Sequence, residues 1–90
     1  MNIDSIIFIN NLPTMDLHGY DRESARVATN DFVKENLKLK NEAIVIIHGI
    51  GSHIVRNSVH ETLRLNKSVK EFKLYPYNIG CTIIMLAIDK

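Results

Sequence analysis

Residues 43–52 read Ala43-Ile44-Val45-Ile46-Ile47-His48-Gly49-Ile50-Gly51-Ser52, and this stretch decides the fold. The apolar, mostly β-branched run 43–47 predicts a buried strand, parallel to a neighbour and covered on both faces for part of its length. His48-Gly49-Ile50-Gly51 breaks it. Ser52 then reads as the N-cap of a helix with Val55, Val59 and Leu63 at fourfold spacing. A strand thus runs through a glycine loop into a helix.

Upstream, Asp21 reads as another N-cap, and Glu23 suits the positive end of a helix dipole. Ala25, Ala28, Phe32 and Leu37 give the apolar face of a helix over 22–38, closed by Lys38, Lys40 and Asn41. Before it, residues 14–19 alternate and end in Gly19, after a break at Asn10-Asn11-Leu12-Pro13. Ile3 to Ile9 reads as a short strand-like piece. Downstream, Asn66-Lys67-Ser68 ends the second helix, and Val69 to Tyr75 is a strand with Phe72 and Leu74 on one face. Residues 76–80 turn the chain. Cys81 to Ile88 is apolar on both alternating sets, which predicts a central strand.

The order is strand–helix–strand–helix–strand–strand. Right-handed crossovers put both helices on one face of a four-stranded mixed sheet, a two-layer α/β sandwich. Ile3, Ile6, Phe8 and Ile9 are left to cover part of the other face. The division expected is an N-terminal extended segment over 1–14 and a folded domain over 15–90.

Ninety residues suffice for one domain and leave no room for separate cofactor and substrate domains. Charged residues at 23% and hydrophobic ones at 46% describe a folded chain rather than a disordered one. Eleven Lys and Arg against ten Asp and Glu give a net charge of +1, which weighs against broad electrostatic binding of nucleic acid. The lone Cys81, read as a core residue, excludes an internal disulfide and fits a reducing compartment. No Cys-x-x-Cys pair or Cys/His quartet is present to build a structural zinc site. The apolar runs fall far short of the roughly 20 residues that span a bilayer, and the first residues lack the cations of a signal peptide. A soluble, cytoplasmic protein without a membrane partner is expected.

The strand ends before the two glycine-bearing loops lie on one edge of a parallel pair, where α/β proteins build sites. Asp16, His18 and His48 are therefore expected close together, and the Asp16-Leu17-His18 spacing puts both polar side chains on one side of a strand. Gly49 and Gly51 let the backbone approach a ligand, and the following helix start, Ser52 included, offers N–H groups to a phosphate. Arg56, one turn in, can add a bidentate contact. The Walker lysine and its spacing are absent.

Four segments together resemble the small MutS-related (Smr) domain family. Met15-Asp16-Leu17-His18-Gly19 is similar to its Leu-Asp-Leu-His-Gly motif, and His48-Gly49-Ile50-Gly51 to its His-Gly-Lys-Gly loop. Ile54-Val55-Arg56, with Val59 and Leu63, is similar to its Val-Leu-Arg helix start. Residues 78–84 resemble its closing Gly-Gly-x-Gly-Ala-Thr-Val-Val segment. The resemblance implies the fold of the C-terminal domain of translation initiation factor three, nucleic-acid binding and, in several members, endonuclease activity on DNA or RNA. It also implies a domain found alone or at the C-terminus of a MutS-type ATPase. Ile50 departs from the family's cation, Asn78-Ile79 from its glycines, and His53 from a frequent glycine.

The expected activity is phosphodiester cleavage or nicking. His48 would act as general base or acid near neutral pH, Asp16 would orient a histidine or hold a metal, and His18 would orient or share the proton. Gly49, Gly51, Ser52 and Arg56 would hold the phosphate, and His53 would add charge when protonated. No cofactor is specified; two histidines and a carboxylate are compatible with a divalent metal without being diagnostic of one. The alternative is a nucleic-acid or ribosome-binding module without chemistry, for which Ile50 speaks. Blander roles stay open: Asp16 pairing with Arg22, Arg56 pairing with Glu61 or Asp21, His60 exposed on its helix. Tyr75 and Tyr77 could stack on bases or fill a strand end, and Lys34, Lys38 and Lys40 read as a solvated helix end.

Overall fold

In the computed structural model residues 3–6, 9–51 and 53–88 are described. The β-branched run forms β2 (Ala43–Ile47), flanked by β1 (Thr14–Asp16) in parallel and β4 (Asn78–Leu86) antiparallel; β3 (Val69–Tyr75) pairs antiparallel with β4. The sheet order is β1-β2-β4-β3, so the last strand is central, as its two apolar faces require. α1 (Arg22–Lys38) and α2 (Ile54–Leu65) lie on one face.

Alternation along the strands sorts the core into two layers. Ile44, Ile46, Ile84 and Leu86 face the helices and pack with Leu17, Ala25, Val33, Val59 and Leu63. Val45, Ile83, Cys81 and Met85 face the other way and are covered by Ile3, with Ile6, Ile9 and Leu12 packed around them. Phe8, expected in the same cover, lies outside the described residues. The strand-like reading of Ile3 to Ile9 is corrected at its start: Ile3–Ser5 is a turn of 3₁₀ helix. One helical turn drops the Ile3 side chain onto the sheet without a strand partner, and Lys73 on β3 holds Asp4 by a 2.6 Å ion pair.

α1 begins as its sequence predicts, with the Asp21 carboxylate accepting the Ser24 N–H at 2.7 Å. Its buried face is centred on Ala25, Thr29, Val33 and Asn36, while Ala28, Phe32 and Leu37 sit at its margin. The apolar spacing misses this because two buried positions are polar. Asn36 is satisfied by the Phe32 carbonyl and by Asn41, whereas the Thr29 hydroxyl has no hydrogen-bond partner among the described residues. The N-terminus of α1 is tied to α2 twice: Ser58 donates to the Arg22 carbonyl at 2.7 Å, and Arg22 pairs with Glu61 at 2.9 Å. Among the described residues no helix is long and apolar enough to cross a membrane.

If the N-terminal turn is part of the second core layer, Ile3→Ala should cost about 2 kcal/mol by leaving a cavity against the sheet. Thermal denaturation should then show a melting point lower by roughly 8–16 °C; an unchanged melting point would show the turn to be dispensable.

Candidate functional site

The parallel pairing of β1 with β2 sets Asp16 opposite Ile47, and the Leu17 N–H extends it by donating to the Ile47 carbonyl at 2.7 Å. The two strands therefore end level, and the residues that follow them, His18 and His48, line one cleft of about 650 Å³. Met15 and Leu17 point into the helix-side core, so alternation throws Asp16 and His18 outward.

Asp16 and His18 form a tight pair. The Asp16 carboxylate accepts the His18 backbone N–H at 3.0 Å and the ring Nδ1–H at 2.6 Å through the same oxygen. The backbone hydrogen bond first, then the ring, hold the Asp16 carboxyl below its ordinary pKa. With Nδ1 committed as a donor, Nε2 of the neutral ring is the acceptor. The His18 side chain is 73% exposed.

His48 is placed differently. It is buried, 5% exposed, and both ring nitrogens are engaged. Nδ1–H donates to the Gly49 carbonyl at 3.0 Å, and Nε2 meets the Thr82 hydroxyl at 2.8 Å. His60 Nε2 meets the same hydroxyl at 2.7 Å. One assignment satisfies all three groups: Thr82 donates to His48 and accepts from His60. His60, expected exposed on its helix, is instead packed between His48 and Phe72, with ring centroids 5.6 and 5.1 Å away. Burial, reinforced by the charges of Arg56 and Arg64 and by His48, pushes its pKa down to about 4. Burial likewise lowers His48, against the pull of the Gly49 carbonyl.

The β2–α2 loop is held at both ends. The Gly80 carbonyl accepts the N–H groups of His48 and Gly49 at 2.9 and 3.0 Å. Gly49 adopts φ +85°, a left-handed conformation that favours glycine, and a Cβ there would lie 3.5 Å from that of His18. Ser52, expected as N-cap and phosphate ligand, lies outside the described residues. α2 starts at Ile54 with His53 as N-cap, at φ 65° and with no side-chain cap bond. His53 Nδ1 instead accepts from the Arg56 guanidinium at 3.0 Å, so Arg56 pairs with neither Glu61 nor Asp21. Arg22 pairs with Glu61 rather than with Asp16. Gly51 and His53 line the cleft with His18 and His48. Among the described residues no three metal-ligating side chains converge. Tyr75 is buried against the opposite sheet face, and Tyr77 meets it edge to face at 5.5 Å.

The family model of the Smr domain matches residues 15–87. The chain belongs to the Smr domain family. Among curated proteins this Smr domain is similar to Endonuclease MutS2 of Streptococcus suis strain 05ZYH33, 37% identical over 73 residues, covering 78% of this chain and 9% of that protein. It is 38% identical over 76 residues to Endonuclease MutS2 of Streptococcus gordonii, covering 84% of this chain and 10% of that protein. The chain thus spans about a tenth of the length of these relatives. Among solved structures it superposes on the Smr domain of Thermus thermophilus MutS2 with a TM-score of 0.82 and 25% identity, covering 84% of this chain and 99% of that one. YdaL, a stand-alone small MutS-related protein from Escherichia coli, shares the fold with a TM-score of 0.74 and 23% identity, over 81% of this chain and 63% of that one.

In this Smr domain the four motifs converge on one end of the sheet: the end of β1, the β2–α2 loop, the start of α2 and the start of β4. Thr82 and His60 were not among the candidate residues. A lone threonine in an otherwise apolar strand was the available signal for Thr82, since it needs a polar partner once buried. His60 carried none, because its partner is 22 residues away.

A histidine held neutral by burial takes up a proton in the unfolded chain before it does in the folded one. Stability should therefore be complete above pH 6.5 and fall as the pH drops from there toward about 4. The loss due to His60 is on the order of 2–3 kcal/mol, the full conversion being discounted because the ring is only partly buried. Melting temperatures across this range should decline steeply in the wild type and less steeply in His60→Gln, which keeps a donor for Thr82 but cannot titrate. Parallel slopes would show that His60 does not carry the effect.

Proposed function

We propose that this Smr domain binds DNA or RNA and cleaves its phosphodiester backbone, with His18 as the proton-transfer group and Asp16 as its orienting partner. The observation that carries this is the Asp16–His18 pair at 2.6 Å, which fixes the ring with Nδ1 inward and leaves Nε2 exposed at the cleft. Nε2 would accept the proton of the attacking water or hydroxyl as its oxygen bonds to phosphorus. The resulting imidazolium, stabilised by the Asp16 carboxylate, would return a proton to the departing oxygen.

The burial of His48 and its two hydrogen bonds favour a supporting role for it: it holds the Gly49 carbonyl, and thereby the loop that would receive the phosphate. Gly49 and Gly51 would shape that loop beside the first turn of α2, whose N–H groups receive no bond from the His53 side chain. Arg56, kept near the loop by His53, would supply charge to the phosphate. That the streptococcal relatives are named Endonuclease MutS2 supports the same reaction class.

A second reading, binding without cleavage, is favoured by Ile50. The loop presents an exposed apolar side chain there, where a cation would stabilise transition-state charge.

The decisive experiment is cleavage of single-stranded RNA and of supercoiled DNA, with and without chelator. His18→Ala should reduce the rate by about 10²-fold or more, and Asp16→Asn should follow it while leaving binding intact. His48→Ala should lower the melting point together with activity. Equal cleavage by wild type and His18→Ala would refute the assignment; tight binding with no cleavage under any metal would establish the second reading.

A further inference from the structure

The cleft that holds His18 has walls that a phosphate would not use. Tyr20, Ile50 and Ile54 line it, and they are 44, 64 and 54% exposed. Single exposed apolar side chains are ordinary, but here three share one concave surface with a few polar groups, the mixture found in ligand clefts. Tyr20 enters from the segment before α1, Ile50 from the loop apex over Gly80, and Ile54 from the first residue of α2. Arg22, His18 and His53 share the same concavity. Arg22 is paired with Glu61, His18 with Asp16 and His53 with Arg56, and the Asp21 carboxylate lies on the same rim, so the concavity mixes satisfied polar groups with apolar ones and suits a ligand of mixed polarity better than a lipid or an apolar protein segment. Polar groups beside one aromatic ring and two aliphatic side chains match a nucleotide: sugar and phosphate for the first, base for the second. The volume, about 650 Å³, suits a small unit rather than a folded partner.

The walls also discriminate between forms of nucleic acid. A duplex presents its sugar–phosphate backbone and, in its grooves, base edges; its base faces are hidden by stacking. An unpaired strand exposes those faces, which stack on an aromatic ring whatever the sequence. A cation at position 50 would serve any backbone, whereas an isoleucine serves only a base. We propose that this cleft selects single-stranded nucleic acid, stacking an unpaired base on Tyr20 between Ile50 and Ile54. The proposal rests on the phosphodiester-cleaving reading of the same site and names its substrate class.

The test is fluorescence anisotropy with labelled probes of about 12 nucleotides, a length in the range single-strand sites cover. The probes are a DNA strand, an RNA strand, the DNA duplex, and an abasic strand with the charge of the DNA strand. The protein should bind at least one base-bearing strand about tenfold more tightly than the duplex and the abasic strand. Tyr20→Ala should erase that preference and Tyr20→Phe restore it. Ile50→Lys, on an exposed loop, should strengthen duplex binding and steepen its salt dependence by about one counterion. Thermal melts confirm that each variant is folded, and Ile50→Lys decides the matter should Tyr20→Ala not fold. Duplex or abasic strand bound as tightly as both base-bearing strands, or a preference untouched by the substitutions, overturns the proposal. Should that occur while cleavage is normal, the selectivity alone is refuted. Should no probe be bound and neither single-stranded RNA nor supercoiled DNA be cleaved, the cleavage reading falls with it.

Discussion

One carbonyl oxygen sets the geometry of the site. Gly80 O accepts the N–H groups of both His48 and Gly49, so the start of β4 and the loop leaving β2 are fixed to each other. The approach is tight: a Cβ on Gly80 would come within 3.2 Å of Ile50 Cγ1 and of Asn78 Oδ1, so a neighbour would have to give by a few tenths of an ångström. Asn78 also holds the Gly80 N–H at 3.0 Å, giving a side-chain turn where the chain lacks further glycines. From this anchor the loop runs past His18 and turns Ile50 outward. The left-handed Gly49 and the start of α2 follow this anchored segment.

Behind the loop lies a polar layer in a core that could have been wholly apolar. Thr82, His48 and His60 come from β4, β2's end and α2, and each hydrogen-bonds within the group. Buried polar groups are costly unless satisfied, and here one hydroxyl serves two rings. Such a group fits only one mutual placement of sheet and helix, which an apolar contact would not enforce. Proton affinity separates accordingly. The buried histidines are pushed toward neutrality, while the Asp16 carboxylate, half exposed, is held ionised by the hydrogen bonds it accepts.

The near balance of charge finds its place in this arrangement. Arg22 is neutralised by Glu61 across the helices, and His18 sits on Asp16. The cleft therefore offers oriented groups and apolar walls rather than a broad positive field. Long-range electrostatics would contribute little, and affinity would come from contacts made at close range.

How much of this was legible in the sequence follows the reach of each signal. The spans of α1, β2 and β3 came from periodicity and caps: Asp21 and the β-branched run 43–47 are local and unambiguous, whereas the last strand, read as 81–88 after a turn over 76–80, runs from Asn78 to Leu86. The motif residues Asp16, His18, His48, Gly49, Gly51 and Arg56 were legible as a group. Their division of labour was not. Two histidines beside glycines look alike in sequence, yet alternation along β1 throws His18 outward, and β2 turns His48 inward to Thr82. Ile3 to Ile9 looked like a strand because apolar composition does not distinguish a strand from a helical turn that covers a sheet. Ile50, Tyr20 and Ile54 carried no joint signal, since the cleft they share forms only when three separate segments meet. By itself the sequence determined the order of elements, their sidedness and the family, because those rest on local spacing. The tertiary structure alone decided which histidine is exposed at the cleft and which is locked in the core, because burial and hydrogen-bond partnership are set by residues distant in the chain.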